Sequence, residues 1–442
     1  MPTLGAIADD FTGATDLATM LVARGYRTVV TVGPDTVADD RAVADADAVV
    51  VALKSRTTPV SEAVASSLAA FHALRAAGCN RFYFKYCSTF DSTPQGNIGP
   101  VTDALLSATG ERRAVVVPSF PGTGRTVYRG RLFVHEELLD ESPMRHHPLT
   151  PMRDSHVGRL LAPQTAHPVR LIDLETVRSG VEALKAALDD PALADALVVV
   201  DATEDEDLRT VSAATLHHGL VTGAAGLALG LTGPRPEASR AEAASRPGDP
   251  AVVLSGSASA ATRAQVAHGR AHLPHRKLDI AALRADFDTT VEGLTTFARD
   301  CWRDDPGRPP LIYAVDDLRD LDETGGEATP AASVLVEKAL AACAVRLVEA
   351  GARRLLVAGG ETSGSVVTAL GVRTLTIGSP ISPGVTWAGA DCGAGGAGGA
   401  GGAGGAGGAG GAGGAGQTVD VALKSGNFGD TDIFTAAWSA LA

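Results

Sequence analysis

The chain has 442 residues, of which 45% are hydrophobic, and it carries a formal net charge of −13. A chain of this length predicts two or three domains with ample core material. The acidic balance argues against a nucleic-acid-binding or anionic-membrane-binding surface. The five cysteines are scattered without a C-x-x-C pair, and no basic-then-apolar leader is present, so we expect free thiols in a reducing cytoplasm. No apolar run reaches the roughly 20 residues of a membrane helix.

The first motif lies at residues 7–16, where a short apolar segment runs into two adjacent acids, Asp9 and Asp10, and then into Thr12 and Gly13. Apolar residues at helical spacing follow. A strand, an acidic turn and a helix place such side chains at the carboxyl end of the strand, facing a crevice. Two neighbouring carboxylates need a cation, a donor-rich substrate or a shared proton between them. The alternative is that Asp10 or Thr12 only caps the helix.

Strand-like and helical segments alternate through the first half of the chain. In chain order we predict a strand at 28–32, a strand at 48–53, a helix at 62–75, a strand at 81–86, a helix at 100–106 and a strand at 114–117. This alternation is typical of an α/β fold with a mostly parallel sheet.

Two polar loops follow predicted strands of this half. Lys54 and Arg56 close the strand at 48–53, and two cations there suit an anionic ligand, although a solvated surface pair fits equally well. The loop after the strand at 81–86 is denser in polar groups, and its candidate substrate-binding residues are Lys85, Ser88, Thr89, Asp91 and Ser92. A lysine for a carboxylate, with an acid and hydroxyls for sugar OH groups, is what a polyhydroxylated acid needs. The alternative is a Ser/Thr-rich turn.

Two further segments carry weaker signals. Residues 118–131 have the turn residues of a loop and three arginines, which could hold a carboxylate or a phosphate. His146, His147 and His156 match no known ligand spacing, so we favour a loop or a subunit contact there and assign no metal ligand to the protein.

Residues 232–250 are rich in Pro, Ala, Glu, Arg and Ser and predict a linker between a domain at 1–231 and a domain at 251–442. In the second domain, a predicted strand at 251–254 leads into the small-residue loop 255–259 and a helix at 260–268. A predicted strand at 354–358 leads into the glycine-rich turn 359–364 and a helix that begins at Ser365. Two such loops favour a nucleotide site, because backbone N–H groups and the helix dipole attract phosphate.

The glycine-rich turn 359–364 supplies several candidate contacts. Gly359 and Gly360 allow close backbone approach, Thr362 or Ser363 could cap the helix, and Glu361 could contact a ribose or a metal. The alternative is a pair of tight turns with ordinary caps. The chain contains no Walker motif, which excludes a P-loop kinase.

The last quarter of the chain contains a Gly-Gly-Ala repeat at 393–416, which predicts a flexible surface insertion without chemistry of its own. A strand is predicted at 418–423. It ends in a polar glycine turn, where Lys424 and Gly426 could flank a bound nucleotide.

The motifs IADDFTGATD, KYCSTFDSTPQGNIGPV, GRTVY, MRHHPLTPM, AGGETSG and ALKSGNFG, in this order, resemble the four-carbon acid sugar kinases, most closely their 3-oxo-tetronate branch. The resemblance runs from Leu4 to Phe434. It implies an N-terminal sugar-acid domain, a C-terminal nucleotide domain and ATP-dependent phosphorylation of the 4-hydroxyl of a four-carbon acid. The implied ATP contacts are Ser257, Gly359, Gly360, Glu361, Thr362 and Gly426.

The residues and the resemblance together predict two α/β domains with mostly parallel sheets and a ligand cleft between them. ATP with Mg²⁺ would lie on the C-terminal loops, and Lys85 or nearby arginines would meet the acid's carboxylate. Asp9 or Asp10 would orient or deprotonate the attacking hydroxyl. A D-threonate or D-erythronate 4-kinase, a non-catalytic sugar-acid and nucleotide sensor, and a phosphatase of the haloacid dehalogenase type are the alternatives. A homodimer is allowed, and no nucleic-acid or membrane partner is expected.

Overall fold

The computed structural model describes residues 1–38, 41–146, 150–235, 240–317, 320, 331–392 and 417–441. The chain divides into two compact units, Met1–Arg240 and Ala241–Ala442, and the boundary falls inside the segment 232–250. The Gly-Gly-Ala repeat at 393–416 and His147 lie outside the described residues. None of the described helices has the length and apolar character needed to cross a membrane.

The first unit alternates strands and helices around one parallel sheet. Its strands are β1 (Leu4–Ala8), β2 (Thr28–Val32), β3 (Ala48–Ala52), β4 (Arg81–Lys85), β5 (Ala114–Val117), β6 (Arg125–Tyr128), β7 (Arg131–Val134), β8 (Glu137–Leu138), β9 (Val169–Ile172), β10 (Leu197–Val200) and β11 (Leu220–Gly223). Its helices are α1 (Phe11–Ala23), α2 (Arg41–Asp45), α3 (Val60–Ala76), α4 (Ile98–Thr109), α5 (Val157–Leu161), α6 (Leu174–Arg178), α7 (Val181–Leu188) and α8 (Asp205–Ala214).

The strand order β2-β3-β1-β4-β11-β5-β10-β9 is parallel throughout. All five residues of β1 and of β3 are buried, as is usual when helices cover both faces of a parallel sheet. In register, Ile7 pairs with Val51 on one side and with Phe84 on the other. Apolar side chains on neighbouring strands therefore stack into one core.

The segment 118–131 was wrongly predicted to be a loop throughout. It contains β6 and the start of β7, which form a small antiparallel sheet with β8. Positive φ angles at Gly124 (75°) and Gly130 (70°) allow the chain to turn at either end of β6. The turn residues were read correctly, but the short strand between them was missed.

The second unit contains a mixed sheet. Its strands are β12 (Ala251–Ser255), β13 (His275–Lys277), β14 (Leu311–Tyr313), β15 (Arg354–Ala358), β16 (Val372–Ser382), β17 (Val385–Cys392) and β18 (Gln417–Lys424). Its helices are α9 (Ala260–His272), α10 (Ile280–Ala285), α11 (Phe287–Asp304), α12 (Ala332–Glu349), α13 (Gly360–Ala369) and α14 (Ile433–Ala436). The order is β13-β14-β12-β15-β18-β17-β16, in which β17 runs antiparallel to both neighbours. The predicted α/β class with mostly parallel sheets is confirmed.

One boundary prediction in this unit is wrong in a way that affects the site. α13 begins at Gly360 rather than at Ser365, with Gly359 as its N-cap and no capping side chain. Thr362 and Ser363 therefore lie inside the first turn instead of capping the helix. The glycines permit the tight entry that lets the helix start directly after β15.

Each sheet has a point at which successive strands are added on opposite sides of a central strand. In the first unit, β2 and β3 lie on one side of β1, whereas β4 lies on the other. In the second unit, β13 and β14 lie on one side of β12, whereas β15 lies on the other. A crevice opens beyond the carboxyl ends of the strands at such switch points, and ligands of open α/β sheets bind there.

Candidate active site

The loops after β1, β3 and β4 are joined by backbone hydrogen bonds at the first switch point. The N–H of Asp9 donates to the carbonyl of Lys85 at 3.0 Å, and the N–H groups of Ser55 and Arg56 donate to the carbonyl of Asp9 at 3.0 and 3.2 Å. Three strand ends that are distant in sequence therefore present their side chains together.

Arg56 bridges the two acids. Its Nε donates to Asp9 Oδ2 at 2.9 Å and its Nη2 to Asp9 Oδ1 at 2.8 Å, so both carboxylate oxygens of Asp9 are engaged. The same Nη2 lies 2.8 Å from Asp10 Oδ1. The guanidinium thus supplies the cation that two adjacent carboxylates require.

Asp10 also caps α1. Its Oδ1 accepts from the N–H of Gly13 at 2.9 Å and its Oδ2 from Thr12 Oγ1 at 2.7 Å. Both interpretations of Asp10, as a helix cap and as part of a charged cluster, describe real contacts of the same side chain.

The two acids differ in proton affinity. Burial raises the pKa of Asp9, and the attraction of Arg56 only partly offsets that increase. Burial also acts on Asp10, but Arg56, Lys85 and the donors of Thr12 and Gly13 outweigh it and lower the pKa of Asp10. Asp10 is therefore the acid held firmly in its ionised form.

Lys85 lies behind this pair and is almost fully buried at 3% exposure. Its Nζ donates to the carbonyl of Tyr86 at 2.9 Å. A Cβ atom on Gly13 would lie 2.9 Å from Lys85 Nζ and 2.4 Å from Asp10 Oδ1, so this glycine lets the cation and the acid approach the helix backbone. Asp16, one turn along α1, is also buried, and burial raises the pKa of its carboxyl to about 6 against the attraction of Lys85.

The loop between β4 and α4 is held in an unusual conformation. Phe90 is fully buried with a φ of 51°, a left-handed geometry that is costly for an aromatic residue and that clusters at functional sites. Asn97 Nδ2 donates to the carbonyls of Ser55, Arg56 and Thr58 at 2.7, 3.2 and 2.9 Å. The Asn97 side chain therefore fixes the loop that carries Arg56.

The remaining predicted substrate residues differ in burial and in hydrogen-bond partners. Ser88 and Thr89 are buried in the loop after β4. The backbone N–H of Asp91 donates to Cys87 Sγ at 2.9 Å, while its buried Oδ1 has no hydrogen-bond partner. Ser92 Oγ donates to Gln164 Oε1 at 3.1 Å, which ties this serine to another loop of the unit. Lys54 is exposed.

The second switch point carries the predicted nucleotide residues. A Cβ atom on Gly359 would lie 3.3 Å from the backbone nitrogen of Ser257, and one on Gly426 would lie 2.7 Å from Ser257 Oγ. A Cβ atom on Gly256 would lie 2.3 Å from Thr362 Oγ1. The structure thus brings the loops after β12, β15 and β18 into direct contact, in a cradle that only glycines permit.

The start of α13 forms one wall of this cradle. Gly359 has a φ of 123°, and its carbonyl accepts the first helical bond, from the N–H of Ser363 at 2.8 Å. The first turn of α13 comprises Gly360, Glu361 and Thr362 and lies at the positive end of the helix dipole, which suits phosphate.

Sequence reasoning did not assign a role to Asp16 or Asn97, which the structure ties to these loops. It named Lys424 only as a residue that could flank the nucleotide, and Arg125 only as one of three arginines that could hold an anion; both are buried cations. Asp16 is a buried acid on an otherwise small and apolar helix, and a charge inside an apolar segment is the signal that could have indicated it. For Asn97 and Arg125, only the folded loops reveal the partners.

Among the described residues, no group of three or more His, Cys, Asp or Glu side chains is arranged to hold a metal ion. A metal that accompanies ATP takes its ligands largely from the phosphates and from water, so the cradle requires no protein cage.

Family models and known relatives match this chain over both units. A model described as a sugar-binding N-terminal domain matches residues 4–231, and one described as a nucleotide-binding C-terminal domain matches residues 252–434. Proteins of Burkholderia multivorans and Pseudomonas fluorescens, both named 3-oxo-tetronate kinase, are each 46% identical, with 100% of this chain and 97% of each relative covered. A Salmonella typhimurium crystal structure, provisionally named a tRNA synthase, has a TM-score of 0.79 at 40% identity and covers 99% of both chains.

Proposed function

We propose, because this chain belongs to the four-carbon acid sugar kinase family, that it transfers the terminal phosphate of ATP to the 4-hydroxyl group of 3-oxo-tetronate and releases 3-oxo-tetronate 4-phosphate. The observation that carries the proposal is the pair of switch-point sites. The site of the first unit holds buried acids and cations, which suit a small hydroxy acid. The site of the second unit holds closely packed glycine turns, which suit a triphosphate.

The acid substrate is assigned to the site of the first unit, within the predicted sugar-acid domain at residues 1–231. Lys85 and Arg56 are the cations proposed to attract its carboxylate, since a buried ammonium and a guanidinium both favour an anion. Thr12, Ser88, Thr89, Asp91 and Ser92 remain predicted contacts for its hydroxyl and keto groups, and Lys54 remains a predicted contact nearer the surface.

The nucleotide is assigned to the second unit, within the predicted nucleotide domain at residues 251–442. Its proposed contacts are Ser257, Gly359, Gly360, Glu361, Thr362 and Gly426. The close approach of the three glycine loops supports this assignment, because a phosphate chain needs backbone N–H groups unobstructed by side chains. Mg²⁺ bound to the phosphates would neutralise the charge that develops on the transferred group.

The proposed roles of the two acids follow from their contacts. Asp9 uses both oxygens to hold Arg56, so it serves as the anchor of the guanidinium. Asp10 is ionised and has acceptor capacity left on Oδ2, so it can accept a hydrogen bond from the attacking hydroxyl and orient it. In phosphoryl transfer, positioning and charge neutralisation contribute most of the rate. The reaction itself requires the two substrates to meet, for which the predicted interdomain cleft remains the expected place.

An ADP-release assay with purified enzyme, ATP and Mg²⁺ tests the proposal. We expect 3-oxo-tetronate to give the highest kcat/KM, with D-threonate and D-erythronate well below it and the product heavier by one phosphoryl group. A higher kcat/KM on D-threonate or D-erythronate would select the alternative kinase. ATP binding without turnover of any tetronate would identify a sensor. Release of phosphate from a sugar phosphate in the absence of nucleotide would identify a phosphatase. A cytoplasmic location and a homodimer remain predictions, for which fractionation and light scattering are the measurements.

A further inference from the structure

Lys424, the last residue of β18, is fully buried. Its Nζ donates to the carbonyls of Ser425, Gly426 and Phe428 at 2.8, 3.2 and 3.1 Å, and to Thr262 Oγ1 at 3.1 Å. Every proton of the ammonium is therefore directed at an internal acceptor, unlike that of a lysine that binds phosphate directly.

Side chains of α9 hold the same turn. Ser259 Oγ and Thr262 Oγ1 donate to the carbonyl of Gly426 at 2.5 and 2.8 Å. Gln265 Nε2 donates to the carbonyls of Phe428, Gly429 and Asp430 at 3.1, 2.8 and 3.2 Å. Lys424 thus holds the carbonyls at the start of the turn after β18, and Gln265 holds those at its end.

The planarity of the peptide bond relates these carbonyl contacts to the predicted nucleotide site. The C=O of one residue and the N–H of the next point in opposite directions in a trans peptide. Because the carbonyls of Ser425 and Gly426 face Lys424, the N–H groups that follow them point away from it. Gly426 also packs against Ser257, where an added Cβ atom would lie 2.7 Å from Oγ.

We infer that Lys424 is a positioning residue for the nucleotide: its ammonium acts as an internal cation that holds the carbonyls of the turn after β18 and thereby aims the backbone N–H of Gly426 at the phosphates. The inference rests on the proposed function. Among the described residues, no acidic side chain forms an ion pair with Lys424, so three carbonyls and the hydroxyl of Thr262 hold its ammonium. Burial lowers the pKa of Lys424 to about 7, because the interior disfavours the charged ammonium.

Replacement of Lys424 by Met removes the ammonium and keeps the apolar stem. We expect the Kd of a non-hydrolysable ATP analogue, measured by calorimetry, to rise about tenfold or more, since small displacements of a binding loop have effects of this size. The KM for ATP should rise in parallel, whereas the KM for 3-oxo-tetronate should stay within about twofold. Lys338→Met, at an exposed position of α12, is the matched control and should bind the analogue normally.

A second variant covers the case in which Lys424→Met does not fold. Lys424→Ala is assayed with n-propylammonium, which replaces the missing atoms, and with n-propanol, which lacks the charge. Recovery of analogue binding with the ammonium alone supports the inference. Unchanged affinity of a folded Lys424→Met, or equal recovery with propanol, overturns it, as does no recovery with either. Failure of the wild-type enzyme to bind the analogue would instead refute the proposed function.

Discussion

Asp10 performs two tasks that substitutions can separate. Its carboxylate caps α1 through the N–H of Gly13 and the hydroxyl of Thr12, and it also lies 2.8 Å from the guanidinium of Arg56. Asparagine is about as good an N-cap as aspartate, whereas alanine cannot cap. Asp10→Asn therefore removes the charge and keeps the cap, and Asp10→Ala removes both.

The expected magnitudes differ for stability and for turnover. Loss of the cap in Asp10→Ala should cost about 1 kcal/mol of unfolding free energy, whereas Asp10→Asn should cost only a few tenths. Both variants should lose about 100-fold or more in kcat, equivalent to about 2.7 kcal/mol of activation free energy. Because Arg56 and the cap donors lower the pKa of Asp10, the loss should be constant between about pH 6 and pH 9.

Asp173 provides the matched control for this experiment. It caps α6 through the N–H and the hydroxyl of Thr176, at 3.0 and 2.8 Å, but lies on an exposed helix. Asp173→Ala should lose similar stability in urea unfolding and keep full turnover in the ADP-release assay. An Asp10→Asn enzyme with kcat within about threefold of wild type would reduce Asp10 to a helix cap and refute the proposed orientation of the hydroxyl.

Three further substitutions test other parts of the structure. Burial raises the pKa of Asp16 from 3.8 to about 6, so its negative charge destabilises the folded state above that pH. Asp16→Asn should therefore raise the free energy of unfolding, measured in urea, by up to about 3 kcal/mol at pH 7 and by almost nothing near pH 4. An equal gain at both pH values would contradict the raised pKa. Arg56→Lys cannot make the bidentate contact with Asp9 and should lower kcat/KM for 3-oxo-tetronate about tenfold or more. Arg112→Lys, at an exposed bidentate pair with Asp195, should leave kcat/KM unchanged in the same assay. Gly359→Ala and Gly351→Ala each place a Cβ atom on a residue with positive φ, at 123° and 114°, and each should cost about 1–3 kcal/mol of stability. Only Gly359→Ala should raise the KM for ATP, because a Cβ atom at Gly351 meets open space. An unchanged KM for ATP would remove Gly359 from the nucleotide site.

The sequence indicated the α/β class well, because buried parallel strands are short continuous apolar runs and because helices with clear periodicity separate them. Strand β1 and the segment before α13 were recognisable for this reason. Short strands such as β6 were missed, since four residues between two turns carry no period that can be counted. The predicted start of α13 was wrong because glycines and hydroxyl residues favour a turn, whereas here contacts with the neighbouring loops override these weak preferences.

The order of amino acids shows which chemical groups are present: paired acids after the first strand, cations after two others, and three glycine turns in the second half. It also carries long ordered motifs, which make the family recognisable. Which atoms meet is visible only in the folded chain, because hydrogen bonds between residues tens or hundreds of positions apart depend on strand order and register. Arg56 reaches Asp9 since β1 and β3 are parallel neighbours, and Lys424 faces inward since α9 packs against the turn that follows β18. A linear pattern holds no information about the direction in which a buried cation points.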